Sequence, residues 1–214
     1  MMELFEKLLH LIRNPGPLIE WAGYPGLFLI IFLETGALVF FLPGDSLLVT
    51  AGLYAAKGDL SLWMLNLLLI PAAIIGDAVS YVIGKRGGAA LFKDPTSRFF
   101  KPEHLARAHA FYERHGGKAI IIARFMPLVR TFVPVVAGAA NMPYRRFAAF
   151  NVIGGALWIL SMTLTGFVLG SLVPDIGKHI EKVIVAVVFL SIAPGLWEYA
   201  KAKLAERRTG LPRA

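Results

Sequence analysis

The sequence predicts an all-α polytopic membrane protein, arranged as an inverted repeat of two re-entrant helical hairpins, each followed by a transmembrane helix. An N-terminal amphipathic helix and a C-terminal transmembrane helix complete it. Three observations predict this class. The 214 residues are 57% hydrophobic and only 17% charged, with a mean hydropathy of +0.64, whereas soluble domains carry about 25% charged residues. A central apolar stretch, residues 119–138, holds two arginines, Arg124 and Arg130, and two prolines, Pro127 and Pro134. The connectors on both sides of that stretch are basic.

Taken in order, residues 1–13 read as an amphipathic helix: Leu4, Phe5, Leu8, Leu11 and Ile12 recur at helical spacing, with Glu3, Glu6, Lys7, His10 and Arg13 between them. It is too charged to span and lacks the apolar core of a signal peptide, so residues 1–17 are read as interfacial. The single membrane domain covers residues 18–200, and 201–214 is a basic tail. A first hairpin occupies about residues 25–53, interrupted by the turn residues Leu42-Pro43-Gly44-Asp45-Ser46. A span follows at 60–84, with Pro71 as an expected kink and Asp77 expected to face other helices, paired or in a polar cavity.

Residues 85–118 carry eight Lys/Arg against three acidic residues, which places this connector in the cytoplasm. A short helix is expected at 103–115; its His104, His109 and His115 lack the i, i+4 spacing of a metal pair. Connector 141–146 and the tail are basic too, so residues 119–140 must enter and leave on one side. Pro127 and Pro134 suit a chain that turns back. Spans at 147–172 and 181–199 then form an out-and-back pair. The halves echo each other: Ala51-Gly52 precedes Gly84 as Ala137-Gly138 precedes Gly170, an arrangement found in transporters built from inverted repeats.

The charges carry the functional argument. An arginine at the centre of a spanning helix costs roughly 2.5–3.5 kcal/mol on insertion scales, and irregular backbone at that depth is tolerated where it lines a polar cavity. Alternatively, Arg124 and Arg130 sit in an interfacial turn and reach out to lipid phosphates. Glu34 interrupts an apolar arm, and Asp45 either joins it in function or caps the following helix. Without cysteine, disulfides, thiolate metal sites and cysteine nucleophiles are excluded. The net charge of +8 sits beside apolar segments, the pattern of loops facing anionic lipid, and no nucleic-acid recognition motif accompanies it. No cofactor or metal site is expected.

Glu34-Thr35-Gly36, residues 42–46, Ala51-Gly52, Gly76-Asp77 with Tyr81 and Gly84, Arg124-Phe125-Met126-Pro127-Leu128-Val129-Arg130-Thr131, Ala137-Gly138, and Asn151 with Gly154 together resemble the DedA family, whose domain is also called VTT or SNARE-associated. The resemblance runs from about residue 25 to 170. It implies a multi-pass bacterial inner-membrane protein with two facing re-entrant hairpins that moves lipid head groups across the bilayer. Undecaprenyl phosphate or a phospholipid is the implied substrate, flipped or scrambled, with proton-motive force implicated. The acidic pair of the family carries over to Glu34 and Asp45 and the arginine pair to Arg124 and Arg130. Asp77, Thr131 and Asn151 are secondary candidates.

The residues supply a chemistry for that implication. Arginine forks match a phosphate bidentately, and opened helix ends add amide donors. Glu34 and Asp45 hold the arginines when substrate is absent; a carboxylate that yields its arginine to phosphate takes up a proton. Three other readings compete. The four charges can be two structural ion pairs, or the acidic residues alone can serve a proton-coupled exporter of small cations or drugs. An enzyme is not expected, since no nucleophile–base pair or metal-binding carboxylate cluster is visible.

Overall fold

The computed structural model describes residues 16–37, 44–87 and 118–172. The N-terminal interfacial helix, the centre of the first hairpin turn, the histidine-bearing connector, the last expected span and the basic tail lie outside the described residues. Among those described, all regular structure is helical: α1 (Gly16–Gly36), α2 (Gly44–Lys57), α3 (Leu62–Gly87), α4 (Lys118–Arg124), α5 (Pro127–Ala139) and α6 (Tyr144–Leu172). Helices α3 and α6 are long and apolar enough to cross a membrane.

Local chemistry sets the breaks. Gly23 bends α1 at φ 52°, ψ −147°, a conformation open essentially to glycine. Helix α2 runs on to Lys57, further than the expected arm, and stops where Gly58 takes φ 89°. There Gly58 N–H bonds Ala55 C=O and Asp59 N–H bonds Tyr54 C=O, a Schellman ending. Helix α5 stops the same way, with Asn141 at φ 56°, its N–H on Gly138 C=O and Met142 N–H on Ala137 C=O.

The two prolines of the central stretch act differently. Pro127 opens α5 at its first turn, where a missing N–H costs nothing, so the chain breaks at Phe125 and Met126. Pro134 lies inside α5, which continues through it; it leaves the Arg130 carbonyl without its helical donor but does not turn the chain. Likewise α3 passes through Pro71 uninterrupted.

The order of contacts fixes the directions. Tyr24 accepts a hydrogen bond from Ser61 N–H at 2.7 Å, Phe32 lies against Gly76, and Ser80 Oγ donates to the Thr35 and Gly36 carbonyls at 2.7 and 3.1 Å. Helix α1 therefore runs alongside α3 in the same direction, and Ser80 satisfies carbonyls that the end of α1 leaves open. Asp45 meets Trp158, Val49 meets Gly166 and Leu53 meets Gly170, so α2 runs with α6.

Helices α2 and α5 each pack on the long helix of the other half. The Gly52 face meets Thr163, Gly166 and Phe167 backbone, while Gly138 meets Tyr81 and Lys85. In each case an added Cβ would collide with backbone, the close approach that small residues permit. The sequence echo holds for the short helices but slips on the long ones: Gly84 meets Val135, whereas Val49 is met by Gly166, one turn before Gly170.

Two apolar clusters bracket the middle. One joins Leu27, Ile31, Leu47, Leu48, Leu65, Leu69, Trp158 and Ile159; the other joins Tyr81, Ile120, Ala137, Met142 and Phe147. Tyr81 ties the second together, donating its hydroxyl to the Met142 carbonyl and stacking on Phe147 with centroids 4.6 Å apart. Between the clusters lie the charges.

Candidate functional site

The end of α1 and the start of α2 bring Glu34 and Asp45 to the break between α4 and α5, where Arg124 ends one helix and Arg130 lies in the first turn of the next. Glu34 is 2% exposed, Arg124 3%, Asp45 7% and Arg130 8%. The structure thus brings all four sequence-predicted residues into one buried cluster, and adds Asp77 and Asn151 to it. Thr131 is buried next to Arg130 on the same turn.

The pairing differs from two simple acid–arginine couples. Arg130 takes both acids of the first hairpin: Nη1 donates to Asp45 Oδ1 at 2.6 Å and Nη2 to Glu34 Oε1. Arg124 instead pairs with Asp77 through Nη1, which also donates to Asn151 Oδ1 at 3.1 Å. Asn151 is fixed by its own amide, which donates to the Ile74 carbonyl at 3.0 Å. Asp45 lies in the first turn of α2, and its Oδ1 is engaged across the fold by Arg130 and by the Trp158 indole N–H at 2.8 Å. The interfacial reading of the arginines is superseded, since both are buried between helices.

Trp158 is the participant that sequence reasoning missed. Its ring faces the Arg130 guanidinium at 4.4 Å and the Arg124 guanidinium at 5.6 Å, a cation–π geometry. A signal was present: Asn151 and Trp158 are seven residues apart, which places them on one helix face. Gly44 is the second omission. A Cβ there would strike the Glu34 carboxylate, so the turn motif also makes room for the acid.

Not every donor is satisfied. Arg124 Nε and Nη2, Arg130 Nε and Glu34 Oε2 are buried without a hydrogen-bond partner among the described residues. An unpaired buried polar group costs about 1–3 kcal/mol. Three acidic side chains, Glu34, Asp45 and Asp77, face two guanidiniums. No group of His, Cys, Asp and Glu among the described residues is arranged to hold a metal ion.

These features define a helical membrane protein with a buried acid–arginine cluster where the end of α1 and the start of α2 meet the break between α4 and α5, and the VTT domain matches residues 42–168 of the chain. The chain belongs to the DedA family. It is 46% identical over 211 residues to Protein DedA of Escherichia coli strain K12, covering 96% of each chain. It is 43% identical over 188 residues to an uncharacterised membrane protein of Mycobacterium tuberculosis strain H37Rv, covering 87% of this chain and 82% of that one. To the inner membrane protein YqjA of E. coli strain K12 it is 41% identical over 145 residues, 67% of this chain and 66% of YqjA. No solved structure matches it.

Proposed function

We propose that the protein is a non-enzymatic transporter that moves a phosphate-bearing lipid across a bacterial inner membrane, with undecaprenyl phosphate and phospholipids as the candidate substrates. The observation that carries this reading is the burial of two arginines, incompletely satisfied, at the break between α4 and α5. Asp77 has about 15 Å or more of α3 on either side of it, which suits mid-depth in a hydrocarbon layer of about 30 Å. A bare phosphate is very costly there, and guanidinium forks replace its water.

In this reading α1 with α2, and α4 with α5, are re-entrant hairpins that enter from opposite faces and meet tip to tip. Two features support it: α1 lies beside the 58–61 turn into which α2 ends, and α4 and α5 share an apolar cluster with the start of α6. Lys85, Arg86, Arg145 and Arg146 are exposed at the end of α3 and the start of α6, which suits a cytoplasmic face. The tail following residue 200 is assigned to that face as well. Trp63 and Trp21, 89% and 86% exposed near the other end, suit the opposite interface.

The excess of acidic side chains over arginines supports coupling to protons. Phosphate brings its own negative charge, so its binding is accompanied by proton uptake in the cluster. By linkage, transport strengthens as pH falls on the side of entry.

The test is reconstitution in liposomes with fluorescent undecaprenyl phosphate or phospholipid, wild type beside Arg130→Lys and Glu34→Gln. Lipid movement by the wild type and its loss in Arg130→Lys are expected, because a lysine supplies a point charge without a fork. A fully active Arg130→Lys would count against bidentate capture. Loss in Glu34→Gln with an active Arg130→Lys would favour the cation exporter instead.

A further inference from the structure

We propose that the two arginines have separate tasks: the side edge of Arg124, formed by Nε and Nη2, receives the phosphate first, while Arg130 is locked until that has happened. This rests on the lipid-phosphate reading above and adds to it an order of events and a location.

A guanidinium offers two bidentate edges, one across its two terminal nitrogens and one across Nε and a terminal nitrogen. Arg130 spends its terminal edge on Asp45 and Glu34, which leaves only Nε unpaired. Arg124 spends Nη1 alone, on Asp77 and Asn151. Its Nε and Nη2 are both buried and both without a partner among the described residues, so a complete bidentate edge remains.

Two glycines flank that edge. Helix α6 passes it with Gly154 and Gly155: a Cβ at 155 would stand 3.1 Å from Nη2 and one at 154 would stand 3.6 Å from Arg124 Cδ. The Asp77–Asn151–Ile74 chain of contacts holds Nη1 and so fixes the plane of the guanidinium.

Charge gives the order. Arg124 faces one carboxylate, whereas Arg130 faces two. An arriving phosphate therefore meets less repulsion at Arg124. Transfer to Arg130 requires Glu34 or Asp45 to let go, and Trp158 touches both stations, its ring against both guanidiniums and its N–H on Asp45.

The experiment is calorimetric titration of the detergent-purified full chain with inorganic phosphate and, separately, with dihexanoyl phosphatidic acid. Wild type, Arg124→Lys, Gly155→Ala and Arg130→Lys are compared, with lipid movement by each measured in liposomes. Arg124→Lys and Gly155→Ala are expected to weaken binding about ten-fold or more, since one loses the fork and the other fills its approach. Arg130→Lys is expected to bind within about three-fold of wild type yet move no lipid. Gly155→Ala keeps all five charges, so its result stands even if Arg124→Lys does not fold.

Tighter binding of the short-chain lipid than of inorganic phosphate assigns the edge to a head group; equal binding assigns it to the free anion, and both support the site. The proposal is overturned if the wild type binds neither probe, if Arg130→Lys loses binding as fully as Arg124→Lys, or if Gly155→Ala binds like wild type. Wild-type binding at Arg124 without any lipid movement would keep this edge while removing the translocation reading.

Discussion

Trp158 and Asp77 show how single side chains set the character of the cluster. The Trp158 indole combines a hydrogen bond to Asp45 with a ring face under Arg130. Trp158→Phe keeps the face and removes the donor, so a loss of about 0.5–1.5 kcal/mol is expected; Trp158→Leu removes both and should cost more. Thermal unfolding of the purified protein, followed by size-exclusion fluorescence, measures the two steps. Asp77→Ala strips Arg124 of its counter-charge in a buried place, where breaking an ion pair costs about 3–5 kcal/mol. A stability indistinguishable from wild type would mean that Arg124 finds another anion or water.

At the scale of elements, the decisive contacts are backbone against backbone. Gly52 sits against the Thr163 carbonyl and Gly138 against the Tyr81 carbonyl, so Gly52→Ala and Gly138→Ala each force α2 off α6 or α5 off α3. A loss of about 1–3 kcal/mol is expected, as for other overpacked contacts, and the unfolding midpoint reports it. Asn141 closes α5 at φ 56°, a conformation that asparagine tolerates and β-branched residues do not. Asn141→Gly should leave stability close to wild type, while Asn141→Val should lower it by about 1–2 kcal/mol. Equal stability of the two variants would refute the helix-ending role.

The whole molecule has a property that makes its orientation measurable: it contains no cysteine. Single cysteines at Arg86 and Arg145 are expected to resist a membrane-impermeant maleimide in intact cells and to react after the inner face is opened. One at Asp59 should react in intact cells. The same labelling for all three would dismiss the proposed arrangement, because α3 would no longer separate the 58–61 turn from the basic end.

How much was legible beforehand follows from the range of each interaction. Membrane character, the two long helices and the turn chemistry at residues 44, 58 and 141 are written in composition and local conformational preference, which need no distant partner. That Glu34, Asp45, Arg124 and Arg130 need partners was legible because a charge inside an apolar run is costly wherever it ends up. Partner choice was not. Which acid meets which arginine depends on how α1, α3 and α6 cross, and sequence spacing does not encode that crossing, so Asp77 took Arg124 and both hairpin acids took Arg130. The one-turn slip between Gly84 and Gly166 has the same origin, as does the place of Trp158 against both guanidiniums. The sequence by itself determined which segments are helical and which residues could not rest in lipid; tertiary packing alone decided their partners, since close approach of backbones, rather than distance along the chain, sets which side chains share a buried space.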